Sequence, residues 1–138
     1  MLKIIVDTNV FVSSLIQRSY PYYIVAKIIS KEDFQLCISQ ELLEEYFEVL
    51  NRKKFSRFPD FYNNAQILLA SIEGVAKIYK PTTKVSILTD KDDNKILELA
   101  DVSKADYIIT GNTNDFTMIR YKRTKIATPK QFWENYFT

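Results

Sequence analysis

Short apolar runs that alternate with helical patterns constrain this chain of 138 residues more than any other feature. The first run, Leu2 to Val6, reads as a buried β-strand and passes directly into Asp7-Thr8-Asn9. Helical periodicity follows over Thr8–Ile16 and Pro21–Lys31, with Pro21 in the first turn, where its missing N–H costs nothing. Further strands are predicted at Phe34–Ile38, Val75–Tyr79, Tyr107–Thr110 and Lys125–Ala127. Further helices are predicted at Ser39–Asn51, Pro59–Gly74, Asp92–Ser103 and from Pro129 onward, with a short segment near Phe116. This alternation predicts an α/β fold of three layers, α/β/α, around a central parallel sheet of about five strands. Open sheets of this kind bind their ligands in the crevice outside the carboxyl ends of the strands. Asp7 is delivered there.

Composition narrows the chemistry. The length suits one domain, residues 1–138. The chain has no histidine, which removes Ser-His-Asp and Cys-His catalysis and imidazole-based zinc sites. Chemistry near neutral pH then falls to carboxylates, lysine, tyrosine or a metal. Only two glycines are present, too few for a glycine-rich nucleotide loop. The single cysteine, Cys37, allows no internal disulfide, lies in an apolar run and reads as a small buried hydrophobe. No apolar segment approaches the roughly 18 residues of a membrane span. These features, with no signal peptide evident, predict a cytoplasmic protein with no membrane partner. A net charge of +2 means that any grip on nucleic acid must come from a local patch.

The acids can be sorted by helical geometry. At about 100° per residue, Leu43, Tyr46, Phe47 and Leu50 form the apolar stripe of the Ser39–Asn51 helix. Glu41, Glu44 and Glu48 fall on the opposite arc, whereas Glu45 lies near the edge of the stripe and is predicted to be partly enclosed. In the Asp92–Ser103 helix, Asp93 shares a face with Ile96, Leu97 and Ala100 and is expected to point inward, while a neighbouring acid caps. The strand Tyr107–Thr110 delivers a second polar turn, in which Gly111 is expected to allow the tight bend and Asn112 and Asp115 can meet the same crevice. Asp7 could serve simply as a cap for the helix that follows it.

Two carboxylates about 4 Å apart repel by roughly 4 kcal/mol at an effective dielectric of about 20. Converging acids therefore call for a cation, and an all-oxygen donor set suits Mg2+ or Mn2+ rather than zinc or copper. Such an ion can activate water and stabilise charge on a phosphodiester.

Taken in order, Ile5-Val6-Asp7-Thr8-Asn9-Val10, Ser39 through Leu50 with Arg52 and Lys54-Phe55, Asp90 through Ala100, Ala105 through Asn112 and Thr128-Pro129-Lys130-Gln131-Phe132 resemble the PIN-domain family. The resemblance is closest to the branch of toxin components in toxin–antitoxin systems, the VapC-like ribonucleases. Carried over by position, the family's acids fall on Asp7, Glu45 and Asp93. Its fourth acid falls on Asn112, a neutral oxygen donor; Asp115, three residues on, either substitutes for it or only orients the turn. The resemblance implies catalytic roles for Asp7, Glu45, Asp93, Asn112 and Asp115, and metal ligation by the four acids among them. It also implies cleavage of single-stranded RNA by metal-activated water, a homodimer, and a cognate antitoxin protein as partner.

Asn9 and the cations Arg52, Lys53, Lys54 and Arg57 are the candidate substrate-binding residues. In the last four, charges interleave with Phe55 and Phe58, a pattern suited to phosphate contact and base stacking. A second basic run spans Arg120–Lys125. Tyr20, Tyr22 and Tyr23 read as core or dimer surface. Two rival readings are a catalytically weakened nucleic-acid or protein binding module on the same fold, and an aspartyl-phosphate protein. The latter is disfavoured because Asp7-Thr8-Asn9 lacks a second acid two residues on.

Overall fold

The computed structural model describes residues 1–30, 33–88, 91–111 and 120–137, with the side chains of 91 and 92 outside the description. In chain order the elements are β1 (Leu2–Val6), α1 (Thr8–Ile16), α2 (Tyr20–Ile29), β2 (Phe34–Ile38), α3 (Gln40–Leu50), a 3-10 turn (Lys53–Arg57) and α4 (Phe61–Val75). They continue with β3 (Lys77–Ile78), α5 (Lys91–Ser103), β4 (Tyr107–Ile109), β5 (Arg120–Tyr121), β6 (Thr124–Ala127) and α6 (Pro129–Phe137).

The strands form one sheet in the order β3-β2-β1-β4-β6-β5, parallel throughout except for β5. The expected parallel core of five strands is present, and β5 adds a sixth, antiparallel strand at the edge. Neighbouring residues on a strand point to opposite faces. Ile4, Ile5 and Val6 are all 0% exposed, so both faces of β1 are covered, as a parallel sheet requires. α5 packs on β1 and β2, while α2 and α4 reach β2. Cys37 lies fully buried on β2, where burial pushes its thiol pKa up and leaves it an inert hydrophobe.

Chain direction places the functional edge. From β1 the chain moves outward through β2 to β3, then returns to build β4 and β6 on the other side. The order therefore reverses between β1 and β4, and the crevice outside their carboxyl ends is the switch point where such sheets bind ligands.

Local sequence explains most element ends. Ser39 accepts a hydrogen bond from the Leu42 N–H (3.1 Å) and so caps α3. Thr128 and Gln131 form a reciprocal capping box at α6, each side chain accepting from the other's backbone N–H (3.1 and 2.9 Å). α6 is then fixed by Phe132, which is fully buried with its ring edge-on to Tyr107 at 4.9 Å.

One expectation needs correction. Gly111 adopts no positive φ, and a Cβ built on it meets nothing within 4 Å, so neither its own backbone nor its surroundings demand glycine. Lys104, closing α5, instead sits in the left-handed region at φ 57°. A side chain there strains the backbone, whereas glycine does not. Lys104→Gly is expected to raise unfolding free energy by about 0.5–1 kcal/mol, read from urea denaturation; a fall in stability would contradict this.

Candidate active site at the carboxyl edge of the sheet

The switch point is held together by backbone and hydroxyl contacts around Asp7. The Asp7 N–H donates to the Ile109 carbonyl (2.9 Å), which ties the ends of β1 and β4. Asp7 stands at the N-cap position of α1, yet its side chain makes no capping hydrogen bond. Its carboxylate instead accepts from the Thr110 hydroxyl at 2.8 Å, with Thr110 fully buried and Asp7 7% exposed. The simple capping role is therefore not the one this acid plays.

Glu45 enters from α3. It is half-buried while Glu41, Glu44 and Glu48 are exposed, which is the division the helical arc predicts. The Thr8 hydroxyl donates to the Glu45 carboxylate, so the residue after Asp7 holds the α3 acid beside the strand end. The next residue of α3, Tyr46, is fully buried and donates its hydroxyl to the Val6 carbonyl (2.5 Å). Burial first, and then the negative charges of Asp7 and Glu45, push the Tyr46 phenol well above its ordinary pKa. It stays protonated and remains a donor. Both acids thus act on the same buried phenol.

Asp93 lies in the first turn of α5 and is 7% exposed, pointing inward as its helical face predicts. Its neighbour Asn94 clasps the preceding loop: its carboxamide accepts from the Leu88 N–H (2.9 Å) and donates to the Leu88 carbonyl (2.8 Å). Glu98 adds a bond from the Val85 N–H (2.9 Å). These bonds fix how α5 presents its first turn. Asn112 and Asp115 lie outside the described residues.

The donors gathered here are carboxylate and hydroxyl oxygens, a set that fits a hard divalent cation. Among the described residues, no three acid or cysteine side chains close into a cage for an ion. Magnesium asks for less than a cage, since it keeps several waters and takes one or two carboxylates.

These features fit one family, whose sequence profile, described as the PIN domain, matches residues 3–114. The chain belongs to the PIN-domain family. It is also 31% identical over 144 residues to uncharacterized protein MJ1680 of Methanocaldococcus jannaschii, an alignment covering 98% of this chain and 92% of that protein. PIN domains are generally nucleases and typically use divalent metal ions, so membership carries a nuclease-type function and nucleic acid as partner. Among the described residues of this PIN domain, no helix is long and apolar enough to cross a membrane.

The basic segments of the PIN domain divide differently from expectation. In the 3-10 turn, Lys53, Lys54 and Arg57 are exposed, but Phe55 and Phe58 turn inward against Phe61, with ring centroids 4.9 and 6.4 Å away. Those rings are half-buried and contribute to the packing, with Lys54 and Arg57 lying over them. Arg52 is committed to Glu48 at 2.8 Å. The Arg120–Lys125 run forms the β5–β6 hairpin, tied to the start of β4 by the Lys125 N–H to the Asp106 carbonyl (3.0 Å). That is the sheet edge opposite Asp7. Lys122 there pairs with Asp101 at 2.8 Å.

Sequence reasoning missed Thr8, Thr110 and Tyr46, the three hydroxyl donors that set the site. A threonine follows each of the two strands that meet at the switch point, and that repetition is the one signal that could have found two of them.

Proposed function

We propose that this PIN domain is a divalent-metal-dependent endoribonuclease that hydrolyses single-stranded RNA, and that it is the toxin of a toxin–antitoxin pair. The observation that supports the reading most is the buried Asp7 carboxylate at the switch point, oriented by Thr110, with Glu45 held alongside by Thr8. Asp7 and Asp93 would hold the ion, with Glu45 and Asp115 as the remaining acids and Asn112 as a neutral oxygen donor. Bound there, magnesium or manganese supplies a nucleophilic water at neutral pH and offsets charge on the phosphodiester.

The chain's own residues do the rest. The Thr110 and Thr8 hydroxyls hold the acids in place, so little reorganisation is needed when substrate arrives. Glu45, half-exposed, orients water or accepts its proton. Asn9, Lys53, Lys54 and Arg57 face the polyanion, with Arg52 reaching it once released from Glu48. A homodimer, a cytoplasmic setting and an antitoxin partner belong to the same proposal.

Purified protein is expected to cut a labelled single-stranded RNA with Mg2+ or Mn2+, to stop with EDTA, and to recover when the metal is restored. Cleavage that persists undiminished in EDTA would end the reading. The alternative, a weakened binding module on the same fold, draws on Asn112, a neutral residue at the position of the family's fourth acid. Calorimetry separates the two: no heat of binding at millimolar Mg2+ favours the binding module.

A further inference from the structure

Two cavities flank the Asp7 strand end, and their linings differ in charge. One, of about 240 Å3, opens between α3 and α5; Glu41, Glu44 and Glu45 line it, and its one cation, Lys95, is 2.9 Å from Glu41. The other, of about 540 Å3, lies on the far side, bounded by α1, the start of α2, Gly111 after β4 and the start of α6. Among its described lining residues there is no acid. Asn9, Ser13 and Gln17 come from one face of α1, Tyr20 opens α2, and Lys130 supplies the one charge.

The second cavity adjoins the site directly. The Val10 N–H donates to the Asp7 carbonyl at 3.0 Å, and Gly111 follows the threonine that holds the Asp7 carboxylate. A polyanionic strand reaching Asp7 meets the exposed Glu44 and the Lys95-paired Glu41 on one side, and neutral amides, hydroxyls and a lysine on the other. The volume falls within the roughly 300–1,000 Å3 of sites for small organic groups.

Tyr20 supplies the second half of the argument. Tyr22 packs edge-on against Tyr23 at 5.6 Å and lies under the Arg18 guanidinium, and Tyr23 meets Trp133 at 5.9 Å. Among the described residues Tyr20 has no such ring partner, and it is 36% exposed at the cavity wall.

We propose that this cavity is the subsite for the nucleobase adjoining the scissile phosphate, with Tyr20 stacking on the base and Asn9 and Gln17 reading its edge. Single-strand recognition uses this pairing of an aromatic face with amide donors and acceptors. The inference rests on the ribonuclease reading above and deepens it.

Photo-crosslinking tests it without requiring cleavage. Asp7→Asn protein with Mn2+ is irradiated with an oligoribonucleotide carrying 4-thiouridine at each position in turn, then digested with trypsin. Crosslinks are expected on the peptide 19–27, which contains Tyr20. Crosslinks confined to α3 or α5, or none, overturn the inference. In the unmodified background, Tyr20→Ala and Gln17→Ala are each expected to raise KM about tenfold and flatten base preference beside the cut, with kcat within about twofold. Unchanged KM and base preference in both variants, in a protein that still cleaves RNA, overturn the subsite and leave the ribonuclease reading standing. Failure of the unmodified protein to cleave any RNA overturns that reading instead.

Discussion

Asp7→Asn is expected to reduce RNA cleavage about a thousandfold, equivalent to about 4 kcal/mol of lost transition-state stabilisation. The substitution is nearly isosteric, and Asp7 is buried among contacts that an amide can still satisfy, including the Thr110 hydroxyl at 2.8 Å. Charge is what the variant loses. Circular dichroism and melting temperature are therefore expected to stay close to the parent while activity disappears. The measurement is single-turnover cleavage of a fluorescent single-stranded RNA, with protein purified in parallel to control for contaminating nucleases. Retention of a tenth or more of parental activity would remove Asp7 from its proposed role.

Tyr46→Ala carries the largest expected effect on stability. The ring is fully buried, meets Phe11 edge-on at 4.9 Å, and anchors α3 to the end of β1 through the Val6 carbonyl. Truncating a buried aromatic to alanine costs about 3–5 kcal/mol, a large share of the roughly 5–15 kcal/mol by which domains are stable. Tyr46→Phe keeps the ring and leaves only the Val6 carbonyl without its hydroxyl partner, at about 1–3 kcal/mol. Urea denaturation of the three proteins should rank parent, Phe and Ala in that order. An Ala variant within about 1.5 kcal/mol of the parent would show that α3 is anchored elsewhere. Because Glu45 is the adjacent residue, the Phe variant should also lose activity more than its modest instability explains.

The fold was legible wherever burial dictated the pattern. β1, β2 and β4 are apolar runs interrupted only by Lys3 and Gln35, because both their faces are covered, and the helix over Gln40–Leu50 could be placed from its stripe and its Ser39 cap. β5 escaped notice because two residues, Arg120 and Tyr121, carry no alternation and pair only across a hairpin. β3 shrank to Lys77–Ile78 because α4 runs on through Gly74 to Val75, packing overriding the weak helix preference of glycine. The inward turn of Glu45 and Asp93 followed from helical angle alone. Which hydroxyl would meet which acid did not, since the meetings of Thr110 with Asp7 and of Thr8 with Glu45 join residues 103 and 37 positions apart. The cations and rings around Phe55 show the same limit: composition grouped them, and only the Phe61 contact separated outward charge from inward aromatic.

The two outermost strands of the sheet have a consequence for assembly. β3 and β5, at opposite edges, are each two residues long. A strand from another molecule would find there too few unpaired amides and carbonyls to extend the ladder, and Lys77 and Arg120 place a cation on each rim. Growth by edge-to-edge pairing is thereby discouraged, which protects the protein from β-aggregation. Among the described residues, self-association then falls to the helical faces and leaves the sheet edges within each copy.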